Sequence, residues 1–315
     1  MRQTCINMVH ELAKLDPRVV FIGSDLSPGL LDGMKREFPD RHYMEGVMEQ
    51  HLVGMAAGMA MDGFMPYFNT IATFITRRCY EQVALDLCLH DLPVRLIANG
   101  GGVVYAPLGP THLAVEDFAI MRALPNMTVT AVADAEEMKR LMRATLAWPH
   151  PIYIRLGKGG DPVISKEENG FAIGKGIIMR PAAGRGHVLL VACGIMTGHA
   201  LAAAELLSAR GHAVEVIHIH TIKPLDEALI AARAQAAGSV FTIEEHTIIG
   251  GLGSAVIDLL AERGEGTRRI VKKLGLADAF AKHYGTQDDL LEVNGLLPPQ
   301  IAAAVERTLA SSAAA

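Results

Sequence analysis

Residues 42–71 read HYMEGVMEQHLVGMAAGMAMDGFMPYFNTI. Two short segments, HYMEG (42–46) and MPYFNTI (65–71), flank a run over 48–62 in which apolar and small residues fill most positions. The flanks have strand length and, in the second, aromatic and β-branched residues; the middle has helix length. The unit reads strand–helix–strand, a connection that lays two strands parallel in one sheet.

The alternation continues along the chain. Strands are expected at 18–24, 93–99, 127–132 and 151–157, with helices at 3–15, 28–37, 76–90, 114–122 and 134–146. RVVFIGS, PVRLIAN and PIYIRLG are nearly all apolar, as strands covered on both faces are. GKGGDPVISKEENG (157–170) is rich in Gly and charge, has no apolar period, and reads as a linker. Beyond it, strands at 187–193, 213–219, 239–245 and 268–274 alternate with helices at 197–210, 225–236, 252–263 and 297–311, and the Ala/Ser tail reads as frayed. The fold class is α/β, with two domains of mainly parallel sheet covered by helices, at 1–156 and 171–311.

Of 315 residues, 50% are hydrophobic and 20% charged, which suits a packed core. Thirty-four acidic against 29 basic residues give a net charge of −5, which excludes the basic footprint of a nucleic-acid binder. Cys5, Cys79, Cys88 and Cys193 are scattered without ligand spacing and read as free thiols of a reducing cytoplasm. There is no signal-peptide core and no apolar run of the ~18 residues a membrane span needs.

In open parallel sheets, binding residues gather at the carboxyl ends of strands. That selects the loops holding Asp25, Leu26, Glu49, Thr73, Phe74, the 99–112 loop and Arg155. Glu49 opens a helix that continues through Leu52, Val53, Met55, Ala56 and Ala57. An acidic first turn complements the helix dipole, yet no Lys or Arg stands three or four residues away. A buried carboxyl left without a counter-ion keeps part of its proton and can share it with a ring nitrogen. Gly100, Gly101 and Gly102 form no GxGxxG and open no helix, which argues against a dinucleotide site. LGPTH (108–112) is turn chemistry that aims His112 at the strand ends; a His there can equally cap the next helix. ATFITRRCYEQV (72–83) gathers Phe74, Arg77 and Tyr80 near one helix start, with Arg77 and Arg78 readable as surface charges. Glu244-Glu245-His246 before GGLG is a metal pair or, preferably, a carboxylate-ended strand with a Gly turn.

Taken together, GSDLS (23–27), GVMEQHLVGMAAGMA (46–60), TFITRRCYEQV (73–83), GPTHLAVEDFAIMRALPNM (109–127) and YIRLGK (153–158) resemble the transketolase family of thiamine-diphosphate enzymes in order and spacing. The resemblance covers nearly the whole chain and implies a pyrimidine-binding domain followed by a transketolase C-terminal domain. It implies that Glu49 hydrogen-bonds N1′ of the cofactor's aminopyrimidine and so favours the tautomer that activates C2. Phe74 and Tyr80 would pack on the pyrimidine, Leu26 would help hold the cofactor bent, and Asp25 would be a polar neighbour. His112 would contact a substrate oxygen, and Arg155 would clamp a sugar phosphate with its fork of donors. Arg77 stands among the cofactor-contacting positions where ordinary transketolases have an aromatic, and there the chain looks more like deoxyxylulose-phosphate synthase.

Other departures bear on substrate. Leu108 replaces an acidic residue that contacts a donor hydroxyl in transketolases, and Gly100 is near the place of a phosphate-contacting His. The GDG…N motif that binds diphosphate and Mg2+ does not occur; GGD at 159–161 lies in the linker. The resemblance therefore implies one subunit of a split transketolase moving a two-carbon ketol unit between sugar phosphates. Thiamine diphosphate would be shared with a partner subunit that carries the diphosphate domain and the Mg2+ ligands, in a heterotetramer around a homodimer core. The alternatives are a 1-deoxyxylulose-5-phosphate-synthase-like enzyme, the beta subunit of a 2-oxo-acid dehydrogenase, which the THLAVEDFAIMRALPNM block argues against, and a non-catalytic scaffold subunit. Donor and acceptor stay unnamed.

Overall fold

The computed structural model describes residues 1–24, 26, 29–264 and 270–313. Twelve strands are seen among them: β1 (Val19–Gly23), β2 (His42–Met44), β3 (Met65–Ile71), β4 (Arg95–Asn99), β5 (Thr128–Ala131), β6 (Ile152–Leu156), β7 (Ile177–Arg180), β8 (Val188–Ala192), β9 (Val214–His218), β10 (Thr221–Lys223), β11 (Ser239–Thr247) and β12 (Ile270–Leu276). They form a seven-stranded sheet in the order β10-β5-β6-β4-β3-β1-β2 and a five-stranded sheet in the order β12-β11-β8-β9-β7. All pairings are parallel except β10 with β5 and β7 with β9. Strands β1, β4, β5, β6, β8 and β9 are buried at every residue, as their apolar runs require.

Helix Glu49–Met61 buries Glu49, Leu52, Val53, Ala56, Ala57 and Ala60, an i, i+3, i+4, i+7 stripe packed with Phe68, Ile75 and Leu96. Each large apolar side chain removed from water there contributes roughly 1.5–3 kcal/mol. Glu49 lies in register with this core stripe, so the helix that fixes the sheet also carries the carboxylate inward. Because β6, β4, β3 and β1 are neighbours, the loops at their carboxyl ends are neighbours too.

Several expectations need correction. Strands β7 and β10 and helix Gln287–Val293 are not legible in the sequence. β10 lies beyond the linker yet extends the first sheet, pairing antiparallel with β5, so the two halves are joined by a shared sheet edge. Three residues carry too short a pattern to signal this. The helix expected at 76–90 is π-helical over Phe74–Arg78 and Val83–Cys88, around one α-turn at Tyr80–Gln82; such wide turns recur at functional sites. The helix expected from 114 begins at Asp117. Ala114 is instead tied back to Gly102, exchanging backbone bonds of 2.9 and 3.1 Å. The closing helix runs Pro298–Ala313, two residues past the expected end, and the last two residues of the Ala/Ser tail lie outside the described residues.

Candidate functional site

Met48, at the N-cap of the Glu49 helix, makes no side-chain cap bond, and Glu49 turns inward, 1% exposed. Its Oε1 accepts from Thr70 Oγ1 at 3.1 Å, and Thr70 Oγ1 accepts from Ser24 Oγ at 3.2 Å. Its Oε2 accepts from Arg78 Nη1 at 2.5 Å. The expectation of an unpaired carboxyl is thus corrected. The counter-ion comes from the loop after β3 rather than from the helix's own neighbouring turns.

Phe74 and Arg78 are four residues apart and share one face. The Arg78 guanidinium carbon lies 4.1 Å from the Phe74 ring centroid. The His112 ring meets Phe74 edge-on, centroids 5.4 Å apart. A turn closed by His112 N to Gly109 O at 3.0 Å delivers that imidazole, and His112 Nδ1 lies 2.9 Å from Thr111 Oγ1. Glu49, Phe74 and His112, from three separate segments of the chain, are therefore linked through Arg78 in one cluster.

The other expected site residues sit elsewhere. Arg77 turns away from Glu49 and donates to Leu113 O at 2.9 Å and to the Glu116 carboxylate, forming one wall of an apolar cleft with Pro110 and Phe280. The Tyr80 hydroxyl donates to Ile120 O at 3.0 Å and its ring packs on the core. Leu26 borders a separate cavity of about 240 Å³ with Phe21, His42 and Met44. Asp25 lies outside the described residues.

Arg155 lies at the seam between the two sheets. Its guanidinium is buried over the Phe118 ring, 2.9 Å from Asp117 Oδ2, and Nη2 donates to Ala114 O at 3.1 Å and Glu245 O at 2.7 Å. The cavity beside it is small, about 20 Å³, room for about one water. Arg155 holds the two sheets together. Tyr153 joins it by donating to Asp117 at 2.8 Å. Burial raises the carboxyls of Glu244 and Glu245 to about 7. Glu244 accepts from the Leu252 and Gly253 amides at 2.7 and 2.8 Å, so it caps the following helix and the Gly-turn reading of 244–246 stands. Burial lowers His246 to about 3; its Nε2 accepts from Ala119 N at 3.2 Å. Among the described residues, no three His, Cys, Asp or Glu side chains converge as metal ligands, and no helix is long and apolar enough to cross a membrane.

Sequence reasoning read Arg78 as a surface charge and passed over Thr70 and Ser24. The available signal was the Phe74-to-Arg78 spacing, which stacks a guanidinium on an aromatic whenever the segment is helical. Nothing local marks Thr70 or Ser24; adjacent strands bring them to Glu49.

Comparison with known proteins agrees over both halves. The family profile "Transketolase, pyrimidine binding domain" matches residues 1–160 and "Transketolase, C-terminal domain" matches residues 175–301. The 6-deoxy-6-sulfo-D-fructose transketolase subunit of Clostridium sp. (strain MSTE9) is 34% identical over 96% of this chain and 92% of its own length. The 1-deoxy-D-xylulose-5-phosphate synthase 1 of Geobacter sulfurreducens is 38% identical over 96% of this chain, which spans 47% of that protein. A solved structure described as "Split gene transketolase, inactive beta4 tetramer" superimposes with TM-score 0.88 at 36% identity, covering 98% of both chains. A transketolase from Pichia stipitis, 18% identical with TM-score 0.79, shares the fold.

Proposed function

This chain belongs to the transketolase family, and from that premise we propose that it is the pyrimidine-side subunit of a split, thiamine-diphosphate-dependent transketolase acting in the cytoplasm. The observation that carries the reading is Glu49, a buried carboxylate set at the start of an apolar helix and linked through Arg78 to the Phe74 ring, which His112 meets edge-on. A carboxylate edge beside an aromatic face fits a flat, hydrogen-bonding heterocycle such as the cofactor's aminopyrimidine. When bound, the cofactor supplies the carbanion chemistry of two-carbon transfer.

This chain's own residues supply geometry and proton placement. Glu49 holds a proton at the ring nitrogen, oriented by Thr70 and, through it, Ser24. Phe74 supplies the face. His112, beside Phe74, is placed to hydrogen-bond a substrate hydroxyl or carbonyl oxygen. Diphosphate and Mg2+ are assigned to a partner subunit, and the active site to the junction between them. The outward face of the Glu49 helix carries Gly54 and Gly58, with exposed Val47, Met48 and Met61 nearby, which suits close packing of two such helices in a homodimer core.

For the substrate, we infer ketol transfer from a ketose with an anionic end. The name of the Clostridium relative specifies a sulfonated ketose, and Leu108, half exposed, removes the carboxylate that would repel an anion near the GPTH loop. A synthase-type activity is the second reading, favoured by the 38% identity to the Geobacter synthase. The test is to co-purify the chain with a partner from its own genome that carries GDG…N. The pair is then assayed for thiamine-diphosphate-dependent ketol transfer over phosphorylated and sulfonated ketoses. Transfer with no 2-oxo acid present supports the reading, and carbon dioxide release from a 2-oxo acid without ketol transfer overturns it.

A further inference from the structure

Arg78 is the cation that meets Glu49, and it does so in an unusual posture. Its Nη1 donates to Glu49 Oε2 at 2.5 Å while its guanidinium carbon lies over the Phe74 ring, 4.1 Å from the centroid. The carboxylate beneath is 1% exposed and the Arg78 side chain above it 40% exposed, so Arg78 is the cover between Glu49 and water. A guanidinium is planar and delocalised, weakly hydrated, with donors in its plane. It can therefore satisfy a carboxylate with its edge and an aromatic with its face at once. An aminopyrimidine offers the same combination of polar edge and flat face.

We propose that Arg78 is a displaceable stand-in for the cofactor's aminopyrimidine, occupying the place between Glu49 and Phe74 until the ring enters and the side chain swings out to solvent. The proposal rests on the reading of Glu49 and Phe74 as the pyrimidine site. With its guanidinium carbon 4.1 Å over the ring, Arg78 covers that face of Phe74, which cannot carry a second group at the same time. The exit is short, because the head is already partly in water. The neighbouring residue keeps the backbone fixed, since Arg77 is anchored to Leu113 O and Glu116. Until displaced, Arg78 compensates a buried charge that would otherwise be costly. The consequence is a weaker apparent affinity for the ring, because only the fraction of chains with Arg78 swung out can bind.

The test uses the full chain and 4-amino-2-methylpyrimidine as probe, with binding followed by ligand-observed NMR and folding by thermal melting. Arg78→Ala should bind about fivefold more tightly than the wild type, the size of one ion pair and one cation–π contact released. Arg78→Lys should fall between them, since it keeps the charge but loses the flat face; it also serves if the alanine variant does not fold. Glu49→Gln should weaken binding in either background. If the wild type binds, Glu49→Gln does not, and Arg78→Ala is no tighter, the stand-in is overturned while the pyrimidine site survives. If no variant binds the probe, both are overturned.

Discussion

Glu245 Oε1, in the second sheet, accepts a hydrogen bond at 2.8 Å from the Val103 amide, which follows the first sheet's strand β4. The same oxygen accepts from Gln287 at 2.8 Å, and the Glu245 carbonyl accepts from Arg155. One residue thus ties three segments at the seam behind the candidate site, and it does so from a buried position where burial raises its carboxyl to about 7.

That placement has a pH signature. The folded carboxyl keeps its proton up to about 7, whereas the unfolded chain releases it near 4.5. Between those values the native state binds more protons, so stability falls as pH rises through the window and is level above it. Glu245→Gln keeps an acceptor for Val103 and cannot ionise. Relative to the wild type it should gain on the order of 3 kcal/mol between pH 4.5 and pH 8, read from urea unfolding at both values. An unchanged difference at the two pH values would refute the burial argument.

Gly102 faces this carboxylate. Its φ is +65°, and a Cβ there would lie 2.4–2.7 Å from the Glu245 side chain. Gly102→Ala therefore combines a left-handed backbone with a clash and should cost about 2–4 kcal/mol. A shift below about 0.5 kcal/mol in denaturant unfolding would mean that the loop relaxes freely.

Asp134 pins the segment expected as a linker. Its Oδ1 accepts from the Glu136 and Glu137 amides at 2.9 Å and from Ser165 Oγ at 2.8 Å; Oδ2 accepts from Ile164 N and Ser165 N at 2.8 and 2.6 Å. Burial alone would raise this carboxyl, but these bonds hold it below its usual value. The stability it confers is present above the ordinary carboxylate range and is lost as pH falls through its folded value. Asp134→Ala removes a helix cap and orphans buried amides, at about 2–3 kcal/mol. Hydrogen exchange of Ile164 and Ser165 should accelerate with it; unchanged protection there would refute the pin.

Glu49→Gln in the complex with a partner subunit should lower kcat on the order of 100-fold or more, because an amide cannot hold and share an acidic proton at a ring nitrogen. Thiamine-diphosphate binding should weaken far less, as shape and stacking are kept. Full activity of the variant would remove Glu49 from the chemistry.

Much of the site was legible because it is written in local chemistry. Glu49 stands out as an acid in an apolar stripe, and GPTH as a turn that aims one imidazole. The residue type of Arg155 suggests a phosphate clamp, but its surroundings were not legible, because they are assembled from Asp117, Phe118 and Glu245, up to 90 positions away. Arg78 read as a surface charge for the same reason: its partner lies 29 positions back on another element.

By itself the sequence determined most of the strand and helix order, the mainly parallel sheets and the sheet edge where the candidate residues gather, since apolar periodicity and turn residues act within a few positions. The tertiary structure alone decided that β10 closes the first sheet, that Arg155 serves the seam, and that Arg78 pairs with Glu49. Those outcomes depend on which segments meet in three dimensions, and charge pairing and burial are set by those neighbours rather than by position in the chain.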